Sequence, residues 1–395
     1  MSVLIAILGL AFLILVHEAG HFFTAIGVGM RPRSFNIGFG PPLVKTTRKG
    51  IDYAIRIVPL GGYVKIPGMH RPAASDVDVF FGRAMRQAPE LVGPTQRLKR
   101  ALAAGDDEAA SAALQELEAL SPGAPHEFKR GLRELSDGLS PYAYWRQRTW
   151  RRVAVIFAGP GTNMVLAIVL FAAVYMAVGG KPTSTVAEVL PKQPAQRMGL
   201  RAGDQLIAIG NQPVEPSDIV KRITGSGGRP LTLTVVRDGR VIILGPARPH
   251  KVNGAYRLGF RPKGAHLGLG ESIWYSLKLA GVVSRETVKS LGRIVHKSGR
   301  KQISGPVGIV QESSKSTGWD YVAVLGFVSL SLALLNLLPL LPLDGGHIAF
   351  SIIEGLRGRA VGREVYERVS AIGIALVLLL FFVGLSNDLG RLNGS

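Results

Sequence analysis

Cysteine is absent from the 395 residues of the chain. Disulfides, thiolate metal ligands and a cysteine nucleophile are therefore excluded, and any metal must be bound by His, Asp or Glu. Acidic residues are also few: 27 Asp and Glu stand against 47 Lys and Arg, which gives a formal net charge of +20. Because the basic residues lie outside the apolar stretches and are not interleaved with aromatics, they predict contact with a lipid bilayer and no nucleic acid partner.

Charge is almost absent from four stretches of the chain. These stretches are Ser2–Met30, with Glu18 as the exception, Val153–Val178, Val322–Leu343 and Val369–Asn387. A helix that crosses a bilayer needs about 20 apolar residues, so the sequence predicts a polytopic α-helical membrane protein with four transmembrane helices. No Lys or Arg precedes the first stretch and no small-residue cleavage site follows it, so we expect a retained span and not a signal peptide.

Arginine is concentrated in two segments beside these stretches. Residues 145–152 contain four arginines, and residues 357–368 contain four more. Because loops rich in Lys and Arg face the cytoplasm, the loops at 31–152 and 346–368 are predicted to be cytoplasmic. Both termini and the region 180–320 are then extracytoplasmic, and the first and third stretches run in the same direction.

His17, Glu18 and His21 place ionisable groups inside the first apolar stretch. Such groups are costly in a membrane, so they indicate a functional site. His17 and His21 are four residues apart and share one face of a helix, where two imidazoles can bind one metal ion with Glu18 beside it as a base. The alternative is chance, because H-E-x-x-H is short and occurs in many soluble helices.

A third ligand is expected, because catalytic zinc sites have three protein ligands plus water. The best candidate is Asp344, which directly follows the third apolar stretch, after Pro339 and Pro342 and before Gly345-Gly346. The prolines interrupt the helix, and the glycines allow close approach of the backbone. Two alternatives remain open: Asp344 is only the end of a span that the glycines cap, or His347 is the ligand in its place.

Further motifs accompany these residues. The full set is H-E-x-x-H at 17–21, G-F-G-P at 38–41, P-L-G-G-Y-V-K at 59–65, A-G-P-x-x-N at 158–163, G-P-V-G-I at 305–309 and N-x-x-P-x-x-x-x-D-G-G at 336–346. With these motifs the chain resembles the site-2 proteases, the intramembrane zinc metalloproteases, of the bacterial regulator-of-sigma-E protease type. The resemblance covers most of the chain except about 71–145.

The resemblance implies a function and a set of roles. It implies that His17, His21 and Asp344 bind Zn²⁺ and that Glu18 is the general base. The implied reaction is hydrolysis of peptide bonds in single-span membrane proteins, with anti-sigma factors as one substrate class. The implied location is the bacterial inner (plasma) membrane.

The resemblance also implies contacts with the substrate. Asn336 is expected to help hold the substrate backbone, and Gly61 and Gly62 belong to a membrane-associated β-hairpin loop. Apolar and polar side chains alternate crudely along residues 51–58, as they do in a strand. The edge of such a strand can pair with an extended peptide. An ordinary cytoplasmic hairpin is the alternative.

Residues 184–262 read as a small β-rich domain. Ala195, Gly199-Leu200 and Gly203-Asp204 follow a pattern that resembles a PDZ domain, and Asp238-Gly239 marks a hairpin. A single extracytoplasmic α+β PDZ domain would bind peptide C-termini or membrane-proximal segments of substrates by strand addition. Simple packing without a peptide ligand is the alternative.

The prediction divides the chain into eight segments. In chain order they are the first transmembrane helix at 1–30, the membrane-associated β-loop region at 31–70, a cytoplasmic helical insertion at 71–150, the second transmembrane helix at 151–180, the PDZ domain at 184–262, amphipathic extracytoplasmic helices at 264–318, the third transmembrane segment at 320–346 and the fourth transmembrane helix at 369–388. The insertion either gates access, binds a partner or has no catalytic role. The amphipathic segment lies on the outer membrane face or packs on the PDZ domain.

Two other functions compete with proteolysis. In a metal transporter, His17, His21, Asp344 and His347 would form a transit site, since intramembrane acids also mark ion paths. A transporter has no need for Glu18 between the two histidines, and it has no need for a PDZ domain. A non-catalytic scaffold acting through the PDZ domain would not need a complete set of ligands and a base.

Overall fold

The computed structural model describes residues 3–121, 125–252, 254–293, 316, 318–359, 361 and 363–393. They belong to two compact units. One unit holds the described residues up to Ala167, those after Val282 as far as Arg293, Ser316, and those from Phe327 onward. The other unit holds Ile168–Val282 and Gly318–Gly326.

The helices of the described residues follow in chain order. They are α1 Val3–Gly27, α2 Ala74–Gln87, α3 Val92–Ala104, α4 Asp107–Ala119, α5 His126–Leu139, α6 Thr149–Ala177, α7 Pro194–Arg197, α8 Ile219–Gly225, α9 Leu269–Arg293, α10 Gly318–Asn336, α11 Asp344–Arg357 and α12 Arg363–Asn393. The strands are β1 Ser34–Arg48, β2 Ile51–Lys65, β3 Lys181–Val189, β4 Gln205–Ile209, β5 Gln212–Pro213, β6 Leu231–Arg237, β7 Arg240–Ala247, β8 His250–Val252, β9 Ala255–Arg257 and β10 Phe260–Ala265.

Within the described residues, four helices are long and apolar enough to cross a membrane: α1, α6, α10 and the Val365–Asp388 part of α12. The prediction of four such helices is confirmed. They carry large apolar side chains on their exposed surfaces, such as Leu8, Phe23 and Val165. A helix that is apolar around most of its circumference needs an apolar environment, which a bilayer provides.

The third apolar stretch differs from its predicted form at 320–346. Helix α10 ends at Asn336, and a loop that contains Pro339 and Pro342 leads into α11, which begins at Asp344. Asp344 therefore opens a helix and does not end a span, because proline favours the first turn of a new helix or the residues before it over a helix interior. The fourth helix, predicted at 369–388, begins already at Arg363.

Strands β1 and β2 form a hairpin with a double register, in which one segment of β1 pairs with two segments of β2. Residues Ser34–Ile37 of β1 have Gly62–Lys65 of β2 as partners, and the same four residues also have Asp52–Ile55 as partners. Phe39 pairs with Val58 and Pro42 with Arg56, and the end of β1, from Val44 to Arg48, pairs with Ile51–Ile55. Ser34–Ile37 is thus an inner segment with neighbours on both sides, and Gly62–Lys65 is an edge segment.

The insertion at 71–150 consists of the helices α2–α5, which share one core. Among its buried side chains are Val77, Phe81, Leu98, Leu117 and Phe128. The turn between α3 and α4 is set by two local devices. Gly105 has the left-handed conformation that ends α3, and the Asp106 carboxylate accepts a hydrogen bond from the Ala109 N–H as the N-cap of α4. Two ion pairs, Arg33–Asp137 and Lys65–Glu134, connect the insertion to the hairpin.

The second unit contains a sheet with strand order β10-β3-β4-β6-β7, and β5 pairs with β4. Its core includes Val186, Leu206, Leu233 and Val235. Strands β6 and β7 are joined by Asp238-Gly239, both with positive φ, which is the turn that the Asp-Gly pair predicts. Helix α9 exposes Leu269, Trp274 and Val288, among other apolar side chains. The G-P-V-G-I motif at 305–309 and the other residues from 294 to 315 of the predicted amphipathic segment lie outside the described residues.

Candidate metal centre

The two histidines of α1 lie one turn apart on one buried face of the helix. His17 is 8% exposed and His21 is 7% exposed. Their Nε2 atoms are 3.2 Å apart. The i, i+4 spacing brings both imidazoles to one point, as the sequence predicts.

Two glycines allow α6 to pack against this face of α1. A Cβ on Gly20 would lie 2.6 Å from the Thr162 Oγ1 and also in contact with the Ala158 carbonyl, so only glycine fits the helix crossing. A Cβ on Gly159 would lie 2.9 Å from the His17 Nε2 and would collide with the His21 ring. The Gly159 position therefore leaves the space that the two imidazoles occupy.

Asp344 completes the group from the first turn of α11. Its Oδ2 is 3.1 Å from the His17 Nε2 and 3.5 Å from the His21 Nε2. Gly345 and Gly346 are buried, and Cβ atoms there would overlap the backbone of the loop at 337–341. These glycines therefore let the loop fold over the start of α11, which excludes the alternative in which they cap the end of a span.

Each imidazole also has a second partner on α6. The His21 Nδ1 is 2.8 Å from the Val155 carbonyl oxygen. The His17 Nδ1 is 3.5 Å from the side-chain nitrogen of Asn163, which is fully buried. Thr162 donates a hydrogen bond to the Val16 carbonyl at 3.1 Å and so connects the two helices beside the site.

The remaining predicted site residues line one chamber with the three ligand candidates. Glu18, Gly61, Gly62 and Asn336 all border this cavity of about 470 Å³. Glu18 lies beside the edge segment of the hairpin, because a Cβ on Gly62 would be 3.1 Å from the Glu18 Cγ. The same cavity is therefore bordered by the metal-ligand candidates, the carboxyl group of Glu18, the glycines Gly61 and Gly62, and the side-chain amide of Asn336.

His347 also borders the chamber, but its Nδ1 contacts the Tyr366 hydroxyl at the start of α12. In the part of the chain that the structure describes, the group of side chains close enough to share a metal ion is His17, His21 and Asp344, whose ligand atoms lie within 4.8 Å of one another. The geometry favours Asp344 over His347 as the third ligand.

Comparison with known proteins identifies the family. The sequence matches peptidase family M50, the site-2 proteases, over residues 5–380. The chain belongs to peptidase family M50. It is 30% identical to a protein of Agrobacterium fabrum over 98% of this chain and 95% of that protein. It is 27% identical to a protein of Lactococcus lactis over 96% of each. Both relatives are named "putative zinc metalloprotease".

As a member of family M50, the chain is a zinc metalloprotease with Zn²⁺ as its cofactor. Membership of this protease family shows that the chain is an enzyme, in preference to the metal transporter or the non-catalytic scaffold. The three candidate ligands fit this ion. Tetrahedral zinc with bonds of about 2.0–2.1 Å needs ligand atoms about 3.3–3.4 Å apart, and the observed separations are 3.2, 3.1 and 3.5 Å. The Asp344 Oδ2 is also buried without a hydrogen-bond partner, as an oxygen reserved for a metal would be.

Sequence reasoning missed what α6 contributes to the site. The A-G-P-x-x-N motif indicated the family, but its residues had no assigned role. The available signal was spacing: Val155, Gly159 and Asn163 are four residues apart and share a helix face, as do His17 and His21. The contact of His347 with Tyr366 had no sequence signal, because it joins two separate helices.

Proposed function

We propose that this M50 zinc metalloprotease is an intramembrane endopeptidase that cuts single-span membrane proteins. The observation that carries the proposal is the group of His17, His21 and Asp344: the two histidines are buried beside Glu18 in an apolar helix of membrane-spanning length, and Asp344 reaches them from the first turn of α11. Idle ionisable groups are costly at such a position. In this proposal the three residues hold Zn²⁺ and Glu18 is the general base.

The proposed chemistry assigns the proton transfers to Glu18. When bound, zinc acts as a Lewis acid that polarises the scissile carbonyl and lowers the pKa of water toward neutrality. Glu18 accepts a proton from the attacking water and delivers it to the leaving amine. His17 and His21 would bind the metal through Nε2, the ring nitrogen of each that lies nearest the Asp344 carboxylate.

The chamber offers a place for an extended substrate. A substrate helix must unwind before its carbonyls can react, since they are hydrogen-bonded within the helix. The edge segment Gly62–Lys65 has β1 on one side, and its residues Gly62, Tyr63 and Val64 border the chamber. A peptide pairs with this edge through its backbone, and the Asn336 amide, which borders the same chamber, bonds to the peptide backbone.

The wider organisation follows from the same proposal. The chain lies in a bacterial plasma membrane with both termini extracytoplasmic, and the hairpin exposes Phe39, Leu43 and Ile57 to its surface. The sheet of the second unit is a PDZ domain that takes a substrate C-terminus or a membrane-proximal segment by strand addition. Anti-sigma factors that have lost their outer domains are one substrate class of this kind.

Replacing Glu18 tests the proposal. We expect Glu18→Gln to retain zinc, because the three ligands are unchanged, and to lower the cleavage rate about 10²–10⁴-fold, the usual contribution of a general base. The measurement is cleavage of a single-span test substrate in liposomes, together with the zinc content. Glu118→Gln, at an exposed position of α4, is the control. If Glu18→Gln cleaved the substrate at the same rate as the control, Glu18 would not be the general base.

A further inference from the structure

Three positions of α6 face the two histidines at regular spacing. Val155, Gly159 and Asn163 are separated by four residues each, so they lie in one stripe of the helix. The Val155 carbonyl meets the His21 ring, Gly159 leaves room for both rings, and the Asn163 amide meets the His17 ring. The two histidines thus have matched surroundings, with one α6 partner at the Nδ1 of each.

The two partners differ in one respect. An imidazole that presents its Nε2 lone pair to a metal carries its proton on Nδ1, so that Nδ1 must donate. The Val155 carbonyl accepts such a bond from His21 at 2.8 Å. Asn163 turns its nitrogen toward the His17 Nδ1 at 3.5 Å, where two donors would meet, and its Oδ1 is buried with no hydrogen-bond partner.

Exchanging the two ends of the Asn163 amide resolves both conflicts. The oxygen and nitrogen of a side-chain amide occupy nearly the same volume, so the hydrogen-bond network decides their assignment. With Oδ1 toward His17, the Nδ1–H gains an acceptor and the orphaned oxygen gains a donor. A buried polar atom left unpaired costs about 1–3 kcal/mol. The original orientation leaves both the Nδ1–H and the amide oxygen unpaired, whereas the exchanged orientation leaves only the amide nitrogen, at the former Oδ1 position, and is therefore favoured.

We propose that Asn163 is a positioning residue that accepts a hydrogen bond from the Nδ1–H of His17 and so orients this histidine for zinc. The inference rests on the proposed function, in which His17 is a ligand. The surrounding structure fixes Asn163 in place, because the side chain is fully buried and the backbone carbonyl accepts a hydrogen bond from the Ser329 hydroxyl of α10 at 2.8 Å.

Two substitutions separate this role from packing. Asn163→Leu keeps the approximate volume but removes the acceptor, whereas Asn163→Asp keeps an oxygen that can accept from His17. Both are made in the Glu18→Gln background, so that zinc binding is measured without catalysis. We expect Asn163→Leu to lower zinc affinity about 10–100-fold, as is typical when the hydrogen-bond partner of a ligand is lost. We expect the zinc affinity of Asn163→Asp to stay within about threefold of that of the Glu18→Gln parent, since a carboxylate serves as the partner of a ligand histidine in many zinc sites.

The measurement is competition for Zn²⁺ with a chelator of known affinity, together with the visible spectrum of the Co²⁺ form. Ala167→Val is the packing control, because Ala167 is a buried residue one turn further along the same stripe; it should lower the unfolding temperature and leave zinc affinity unchanged. An unchanged affinity in Asn163→Leu would overturn the proposal. Equal losses in the Leu and Asp variants, or a similar loss in Ala167→Val, would overturn it as well.

The parent variant distinguishes the two levels of inference. If Glu18→Gln itself binds no zinc, the proposed ligand set is wrong and the role of Asn163 falls with it. If the parent binds zinc and Asn163→Leu binds it equally well, the ligand set stands and only the positioning role is lost.

Discussion

At the scale of single residues, Gly159 sets the space in which the metal centre forms. A Cβ there would lie 2.9 Å from the His17 Nε2 and would overlap the His21 ring. Alanine favours a helix over glycine by about 1 kcal/mol, so α6 itself would not suffer from the change. Any loss of function must therefore come from the displaced imidazoles.

We expect Gly159→Ala to lower zinc affinity at least tenfold, because neither ring can keep its position. Chelator competition in the Glu18→Gln background measures this. Gly161→Ala is the matched control two residues along the same helix, where a Cβ would lie 3.2 Å from the Phe157 ring, a side chain that can adjust. Similar zinc affinities for the two variants would show that the space at Gly159 is not needed.

At the scale of elements, the sequence predicted best where a pattern is local. The Asp238-Gly239 turn and the i, i+4 pair His17 and His21 follow from neighbouring residues alone, and the structure has both. The need for a third zinc ligand after the third apolar stretch predicted that Asp344 would approach the histidines. The start of α11 at Asp344 was not predicted, since the apolar stretch runs through the break and only the prolines mark it. The double register of β1 also had no local signal, because it depends on pairing between segments that are distant in the sequence.

Strands β4 and β6 are joined near their ends by a largely buried ion pair that should make the sheet sensitive to acid. Burial raises the pKa of the Asp204 carboxyl, but the Arg237 guanidinium, at 2.7 Å from both oxygens, and the Arg201 N–H outweigh burial and hold that pKa below its usual value of 3.8. A lowered folded-state pKa contributes stability above about pH 4 that is lost as the pH falls through the folded-state value.

We therefore expect hydrogen exchange in β4 and β6 of the full chain to accelerate as the pH is lowered below about 4, after correction for the intrinsic exchange rate. Asp204→Asn should exchange faster at neutral pH and should respond less to acid. Glu188→Gln is the control, because Glu188 and Arg261 form an exposed pair at 3.5 Å, and such pairs contribute little. Equal acid responses in Asp204→Asn and the unsubstituted chain would contradict the role of the ion pair.

At the scale of the whole molecule, the arginine-rich segments predict one orientation across the membrane. The insertion at 71–150 and the segment after Asp344 should share the cytoplasmic side, and the sheet of the second unit should face outward. The chain has no cysteine, so each single cysteine substitution is a specific reporter of its own position. Glu108, Val241 and Leu356 are exposed and lie in the insertion, the sheet and α11.

We expect a membrane-impermeant maleimide to label Val241→Cys in spheroplasts, and to label Glu108→Cys and Leu356→Cys only after the membrane is permeabilised. The unsubstituted chain is the blank, since it has no thiol to react. The two cytoplasmic positions should behave alike, because one orientation fixes both. Labelling of Glu108→Cys in intact spheroplasts would reverse the orientation, and with it the side of the membrane from which the chamber beside the hairpin receives its substrate.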